Sequence, residues 1–254
     1  MQVSWATDEG SPERGNEDFV ASAPGAVVIL DGCGLPLGTD LGCAHGTAWY
    51  SRSLGTRLLA RLMDGVGPPG RPPVAQPVGP PEGAHQPGER PLVARLAGAI
   101  SDVAASHRAT CDLGRSSTPA ATVVALRVRG DQVDYLVLAD SSLLLHRTDG
   151  EIQHITGGGT FAAADPDVAE AAITGTVPLA ELRHATLLTD GATRPVDSYR
   201  LMDWREMADI VVRQGPRALI DRTRETEHGD PQGTRWPRQK IHDDATLAHC
   251  TFAP

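Results

Sequence analysis

The sequence predicts an α+β fold whose strands pair mainly antiparallel. Two observations predict it. Short apolar runs follow one another across turn dipeptides, which joins neighbouring strands as hairpins. Helical patterns arrive in pairs and not after every strand, which argues against a doubly wound α/β sheet. In chain order, 3–7, 18–22 and 27–31 read as short strands. Leu54, Leu58, Leu59 and Leu62 recur at helical spacing and predict a helix over 41–63. Leu92, Leu96, Ala99, Ile100, Val103 and His107 predict a second over 92–111. Strands 122–129, 133–139 and 142–147 come in close succession, with turns at Gly130-Asp131 and Asp149-Gly150. Strand 185–189 precedes a helix pair, 203–213 and 216–227, where Pro216 suits a first helical turn. Strand 246–251 closes the series.

One stretch breaks this pattern. From residue 65 to 91, nine of 27 residues are Pro and six are Gly, with almost no large apolar side chain. Such a composition buries too little surface to offset its ordering entropy, so 65–91 reads as a disordered insertion. Amphipathic helices flank it and strands lie outside both, which favours one domain over 1–254 carrying a loop over two linked domains.

Composition narrows the function. Asp and Glu number 32 against 23 Lys and Arg, a net charge of -9, and no basic run occurs, so nucleic acid is not the expected partner. No apolar stretch approaches the ~20 residues of a membrane helix, and the first twelve residues do not resemble a signal peptide. The expected setting is soluble and cytoplasmic. The four cysteines, Cys33, Cys43, Cys111 and Cys250, contain no C-x-x-C pair. They read as reduced, mostly buried thiols, and a structural zinc site is not expected. His45 reads as a partly buried helix residue.

The informative pattern is acidic. Asn16-Glu17-Asp18 precedes a strand, and Asp31-Gly32 ends the run Val27-Val28-Ile29-Leu30. Asp140 ends Tyr135-Leu136-Val137-Leu138-Ala139, Asp190-Gly191 ends Thr186-Leu187-Leu188-Thr189, and Asp243-Asp244 precedes Ala245-Thr246-Leu247-Ala248. Taken singly, these acids are ordinary turn, cap or solvated residues. Taken together, they mark five strand ends. Two carboxylates ~4 Å apart repel by about 4 kcal/mol at an effective dielectric of 20, so convergence of these ends would call for cations. All-oxygen ligation suits Mg²⁺ or Mn²⁺ better than Zn²⁺.

The ordered set resembles the metal-dependent protein phosphatases of the 2C type. The residues that carry the resemblance are Arg14-Gly15-Asn16-Glu17-Asp18, Asp31-Gly32-Cys33-Gly34, Asp140-Ser141, Asp190-Gly191 and Asp243-Asp244-Ala245-Thr246, spread over nearly the whole chain. The resemblance implies a four-layer α-β-β-α sandwich, two mainly antiparallel sheets face to face with helix pairs outside. It implies two Mg²⁺ or Mn²⁺ ions. Asp31 would bridge them, Glu17 and the Gly32 carbonyl would complete one, and Asp190 and Asp243 the other. Asp18 would hold metal-bound water, Asp140 would face a third, weaker metal, and Arg14 would grip the substrate phosphate. The implied activity is hydrolysis of phosphoserine and phosphothreonine in a phosphorylated protein, by a hydroxide that bridges the metals. A segment over 156–177 would correspond to the family's flap.

Several positions depart from the family pattern. Arg14 stands one residue closer to Asp18, so Arg52 or another Arg could substitute for it. Cys33 replaces His or Met, Leu35 a Gly, and Asp244 an Asn. Ala139 and Ser142 replace the Gly and Arg that usually flank the central motif. These departures leave open a catalytically weak or inactive relative that binds phosphoproteins. Other chemistries find no motif. Cys-x5-Arg fails because Thr39, Trp49 and Ser117 stand six residues after Cys33, Cys43 and Cys111. Neither a Gly-x4-Gly-Lys-Ser/Thr loop nor His-Glu-x-x-His occurs. Gly157-Gly158-Gly159 reads as a flexible loop.

Overall fold

The computed structural model describes residues 1–36, 38–64 and 91–252. Two antiparallel five-stranded sheets stack face to face. The first runs β1 (Gln2–Asp8), β10 (Ala245–Thr251), β9 (Leu182–Leu188), β6 (Ser142–Arg147), β7 (Ile152–Thr156). The second runs β2 (Phe19–Ala23), β3 (Ala26–Leu30), β4 (Val123–Arg129), β5 (Gln132–Leu138), β8 (Ile173–Pro178). Helices α1 (Thr47–Met63) and α2 (Leu92–His107) cover the outer face of the second sheet. Helices α3 (Asp190–Asp197), α4 (Trp204–Gln214) and α5 (Pro216–His228) lie on the first. The expected α+β fold and its four-layer order are both present.

Side-chain alternation builds the layers. On β3, Val27 and Ile29 point between the sheets towards Val124, Leu126, Leu143 and Leu187. Val28 and Leu30 point the other way, onto Leu54, Leu58 and Leu96 of the helices. Both faces of β3 are covered, so all five of its residues are buried and its sequence is a continuous apolar run without alternation. In α1, Tyr50, Leu54, Leu58 and Leu62 form one stripe at four-residue spacing. Leu58 is 1% exposed, and cutting it to Ala costs ~2–5 kcal/mol at such sites. Helix α4 starts in a reciprocal capping box between Asp203 and Glu206, and Pro216 opens α5 directly after Gly215.

Three predicted features change. Residues 41–46 are loop, not the start of the first helix, because Gly42 and Gly46 take φ of +64° and +77°. The second helix stops at His107, short of residue 111. The edge strands β7 and β8 and the helix α3 are elements the apolar pattern did not predict. β7 is partly and β8 mostly exposed, and α3 carries Gly191 and Pro195. The 65–91 insertion lies outside the described residues except for Pro91. The 156–177 segment ends in a 3-10 turn (Pro166–Ala171) and β8, and Ala162 makes a bridge with Ala121. Among the described residues, no helix is long and apolar enough to cross a membrane.

Strand register decides where the acids go. Phe19 pairs with Leu30, Ile29 with Val124, and Val123 with Leu138. In the other sheet Leu188 pairs with both Ser142 and Leu247, and Asp8 with Ala245. Residues 17–18, 31, 139–141, 189–190 and 243–244 therefore emerge along one rim of the sandwich.

Candidate metal centre

Asp31 leaves the end of β3 and is held there by its backbone. Its N–H donates to Thr122 Oγ1 (3.1 Å), its carbonyl accepts from Thr122 N (2.9 Å), and Thr122 Oγ1 lies 2.6 Å from Ser141 Oγ. One Thr thus ties the Asp31 end to the Asp140-Ser141 turn. Asp190 follows β9 as the first residue of α3. Gly191 after it is a necessity of packing, because a Cβ there would strike the carbonyl oxygen of Asp244. Asp18 reaches across from the other sheet, where its Oδ2 accepts from Thr189 Oγ1 (2.9 Å). Asp244 is not a free extra charge. Its two oxygens accept from the backbone N–H groups of Gly10 and Glu17, both at 2.7 Å, and so pin the loop that carries Glu17.

The Asp31 and Asp190 carboxyl groups lie within hydrogen-bonding reach of each other. Burial pushes Asp31 well above the usual carboxylate range, and the charges of Asp18, Asp190 and Asp243 push it further. Asp18 is raised well above that range by burial and by Asp244 and Asp190, against hydrogen bonds from Thr246 and Thr189. Asp190 is raised by burial and Asp243. Glu17 is raised by burial, against the pull of Arg14.

An open cleft of about 640 Å³ has Asp31, Cys33, Asp140, Asp190, Lys240 and Asp243 on its walls, room for a phosphorylated side chain as well as ions. Asp140 is exposed at its edge, after Ala139 in the left-handed region at φ +68°. Asp243 is paired twice, Oδ2 with Arg194 Nη2 (3.0 Å) and Oδ1 with Lys240 Nζ (2.6 Å). Arg14 stands beside the cleft with Nη1 3.8 Å from Glu17 Oε2, and Arg52 is exposed on α1. Burial and the charges of Asp31, Asp140 and Asp190 raise the Cys33 thiol far above its ordinary range, so it stays protonated and is no nucleophile.

Two basic residues of the cleft escaped the sequence reading. Lys240 is the sole lysine in a chain whose other basic charge is Arg, and it stands three residues before Asp243. That spacing was the available signal. Arg194 gave none, because its partner Glu227 lies far along the chain.

The donor set fits a hard divalent cation. Asp18, which is buried, Asp31, which is half-buried, and Asp190, which is exposed to the cleft, bring their carboxyl groups together, and among the described residues no Lys or Arg forms an ion pair with any of them. The chain's own cations engage Asp243 and Glu17 instead. Crowded like charges are neutralised by protons or by bound ions.

No family model matches the sequence, and no curated protein matches it. Solved structures do match in fold. A point mutant of a bacterial serine phosphatase superposes with a TM-score of 0.64 at 15% identity, over 100% of this chain and 99% of that one. Serine/threonine phosphatase Stp1 from Staphylococcus aureus gives 0.61 at 15%, over 100% and 95%. The catalytic domain of the serine/threonine protein phosphatase PstP, in complex with two manganese ions, gives 0.57 at 17%, over 98% and 96%. The fold is therefore that of bacterial serine/threonine phosphatases.

Proposed function

We propose that this chain is a Mg²⁺- or Mn²⁺-dependent phosphatase acting on phosphoserine and phosphothreonine of proteins in the cytoplasm, as one domain. The observation that carries this reading is the contact between the carboxyls of Asp31 and Asp190, with Asp18 buried behind them and no ion pair from Lys or Arg to any of the three among the described residues. In it, Asp31, Glu17, the Gly32 carbonyl, Asp190 and Asp243 would hold two ions, and Asp140 would face a third, weaker one. When bound, such ions supply a water of lowered pKa and neutralise charge on phosphoryl oxygens.

The chain's own residues do the rest. Asp18 would accept a hydrogen bond from water at its carboxylate and so orient it. Thr189 holds Asp18 in place. Arg14 and Lys240 offer guanidinium and ammonium groups to a substrate phosphate entering the cleft. Thr122 and Ser141 fix the Asp31 end against the Asp140 turn. The cleft is open to solvent, which suits a phosphorylated residue on a protein surface.

The test is phosphate release from p-nitrophenyl phosphate and a phosphothreonine peptide. Turnover is expected only with Mn²⁺ or Mg²⁺ and is lost in Asp31→Ala and Asp190→Ala. Turnover in chelator, or full activity in those variants, rejects the mechanism. A second reading, a weak or inactive phosphoprotein-binding relative, is favoured by one observation, the double pairing of Asp243 with Arg194 and Lys240. Metal binding without turnover would select it.

A further inference from the structure

Away from the cleft, loop and helix end bring together three side chains that the spacing of the cysteines does not reveal. Cys43 and His45 lie on the loop before α1, and Cys111 lies just past α2. Cys43 Sγ and Cys111 Sγ are 3.0 Å apart, and His45 Nδ1 is 3.6 Å from the first and 3.3 Å from the second. His45 is exposed and Cys43 and Cys111 are half-buried, in contrast to the burial expected of them; only Cys250 is fully buried. We propose that Cys43, His45 and Cys111 form a second metal site, for a thiolate-preferring divalent ion of the zinc class, with a fourth position open to solvent.

The donors are the right type. Two thiolates and one imidazole are a common partial shell for Zn²⁺, whereas Mg²⁺ and Mn²⁺ prefer oxygen. Bond lengths of about 2.3 Å to sulfur and 2.0 Å to nitrogen place S and N ligands of a tetrahedral ion roughly 3.5 Å apart. Both S···N separations already agree. The sulfurs need to part by roughly 0.7 Å, a rotamer-scale adjustment at a half-exposed loop. A disulfide would use the two sulfurs but has no use for an imidazole nitrogen placed between them.

The Gly42–Gly46 turn, with positive φ at both glycines, brings Cys43 and His45 up to Cys111, whose Sγ also lies 3.7 Å from Thr110 Oγ1. Binding of M²⁺ would release the remaining thiol protons to solvent and leave both sulfurs as ligands. The His45 ring lies tilted against Trp49 (centroids 4.3 Å apart) with His107 at its edge, which limits its direction. None of the three donors lies on the walls of the carboxylate cleft. An ion here would staple the loop that follows Asp31-Gly32 to the end of α2, alongside the Asp112 N–H bond to the Gly42 carbonyl (2.8 Å).

The experiment is Co²⁺ titration of the full chain, reduced and stripped by chelator, followed by absorption. A sulfur-to-cobalt charge-transfer band is expected, saturating at one ion per chain. It is lost in Cys43→Ser and Cys111→Ser, weakened about tenfold in affinity or more in His45→Ala, and unchanged in Asp31→Asn. Zn²⁺ displaces the band and raises the melting temperature of Asp31→Asn as it does that of the wild type. Circular dichroism of each variant shows that loss of the band is not loss of the fold. A band that persists in Cys111→Ser, cobalt binding without a sulfur band, or a Cys43–Cys111 disulfide whose reduced form binds no ion overturns the proposal. The sulfur band is read without turnover, so its outcome stands apart from that of the phosphatase assay.

Discussion

The carboxyl groups of Asp31, at the end of β3, and Asp190, at the head of α3, meet within hydrogen-bonding reach although they belong to different sheets. Asp31 is half-buried and Asp190 is exposed to the cleft, and neither forms an ion pair with a basic side chain among the described residues. The contact crowds like charges, an arrangement that a bound cation would relieve.

That crowding is measurable. Asp31→Asn removes one carboxyl from the cluster and leaves a group that can donate to Asp190. In chelator, the variant is expected to gain about 1–2 kcal/mol, roughly 2–8 °C in melting temperature. With Mn²⁺ the ranking reverses, because the wild type gains stability by binding and the variant does not. Thermal melts with and without metal check both halves. A variant less stable in chelator would show that the pair is not under repulsion.

Asp18 sits behind that pair, fixed by Thr189. Asp18→Asn is expected to keep the fold and weaken Mn²⁺ binding by about 10–100-fold, the usual effect of losing an orienting partner. Isothermal titration reads this directly. Unchanged affinity would remove Asp18 from the site.

Glu227 is the hub of the outer layer beneath α3. Fully buried, it accepts from Arg194 Nη1 (2.8 Å), Arg224 Nη1 (2.8 Å) and Tyr199 Oη (2.9 Å), and contacts His242 Nδ1 (2.8 Å). Glu227→Ala leaves two arginines without this partner and is expected to cost ~3–5 kcal/mol in urea unfolding. Arg194 also holds Asp243, so metal affinity should fall in the same variant. A loss below about 1 kcal/mol would mean the network is not a stability element.

Acid sensitivity should come from the first sheet. His146 and His249 are buried on either side of Thr186 Oγ1, beside His184. Burial, with neighbouring imidazoles, lowers His146 to about 3 and His249 to about 4. The unfolded chain takes up protons near pH ~6.5, while the folded chain refuses them until far lower. Their contribution to stability is therefore complete above about pH 6.5 and shrinks as pH falls from there towards 4, by up to about 1.4 kcal/mol per unit for each imidazole. Asp18 and Asp31, with raised values, act in the opposite direction. Comparing wild type with His146→Gln/His249→Gln isolates the histidines: the variant is expected to lose less stability between about pH 7 and 4.5. Parallel curves would refute the assignment.

Ala139 adopts φ +68° where Gly carries no Cβ penalty. Ala139→Gly relieves that strain but frees the unfolded chain, for an expected net gain of up to about 1 kcal/mol. Chemical denaturation measures the change, and a loss of stability would show that the Cβ packs more than it strains.

The strands and helix pairs were legible because apolar periodicity is a local property of the chain, as in β3 and in the α1 stripe. The edge strands β7 and β8 were not, since half-solvated strands at a sheet margin need no apolar alternation. The acids at strand ends could be read as candidates, but a residue number carries no direction in space. The Cys43–His45–Cys111 cluster was invisible because its members come from loops whose approach is set by how α1 and α2 pack. The sequence by itself determined the layered architecture and the residues at each strand end. Only tertiary structure decided which of them meet, because register and sheet stacking fix distances between positions the chain separates widely. It alone gathered Asp18, Asp31 and Asp190 without an ion pair to Lys or Arg among the described residues while giving Asp243 to Arg194 and Lys240.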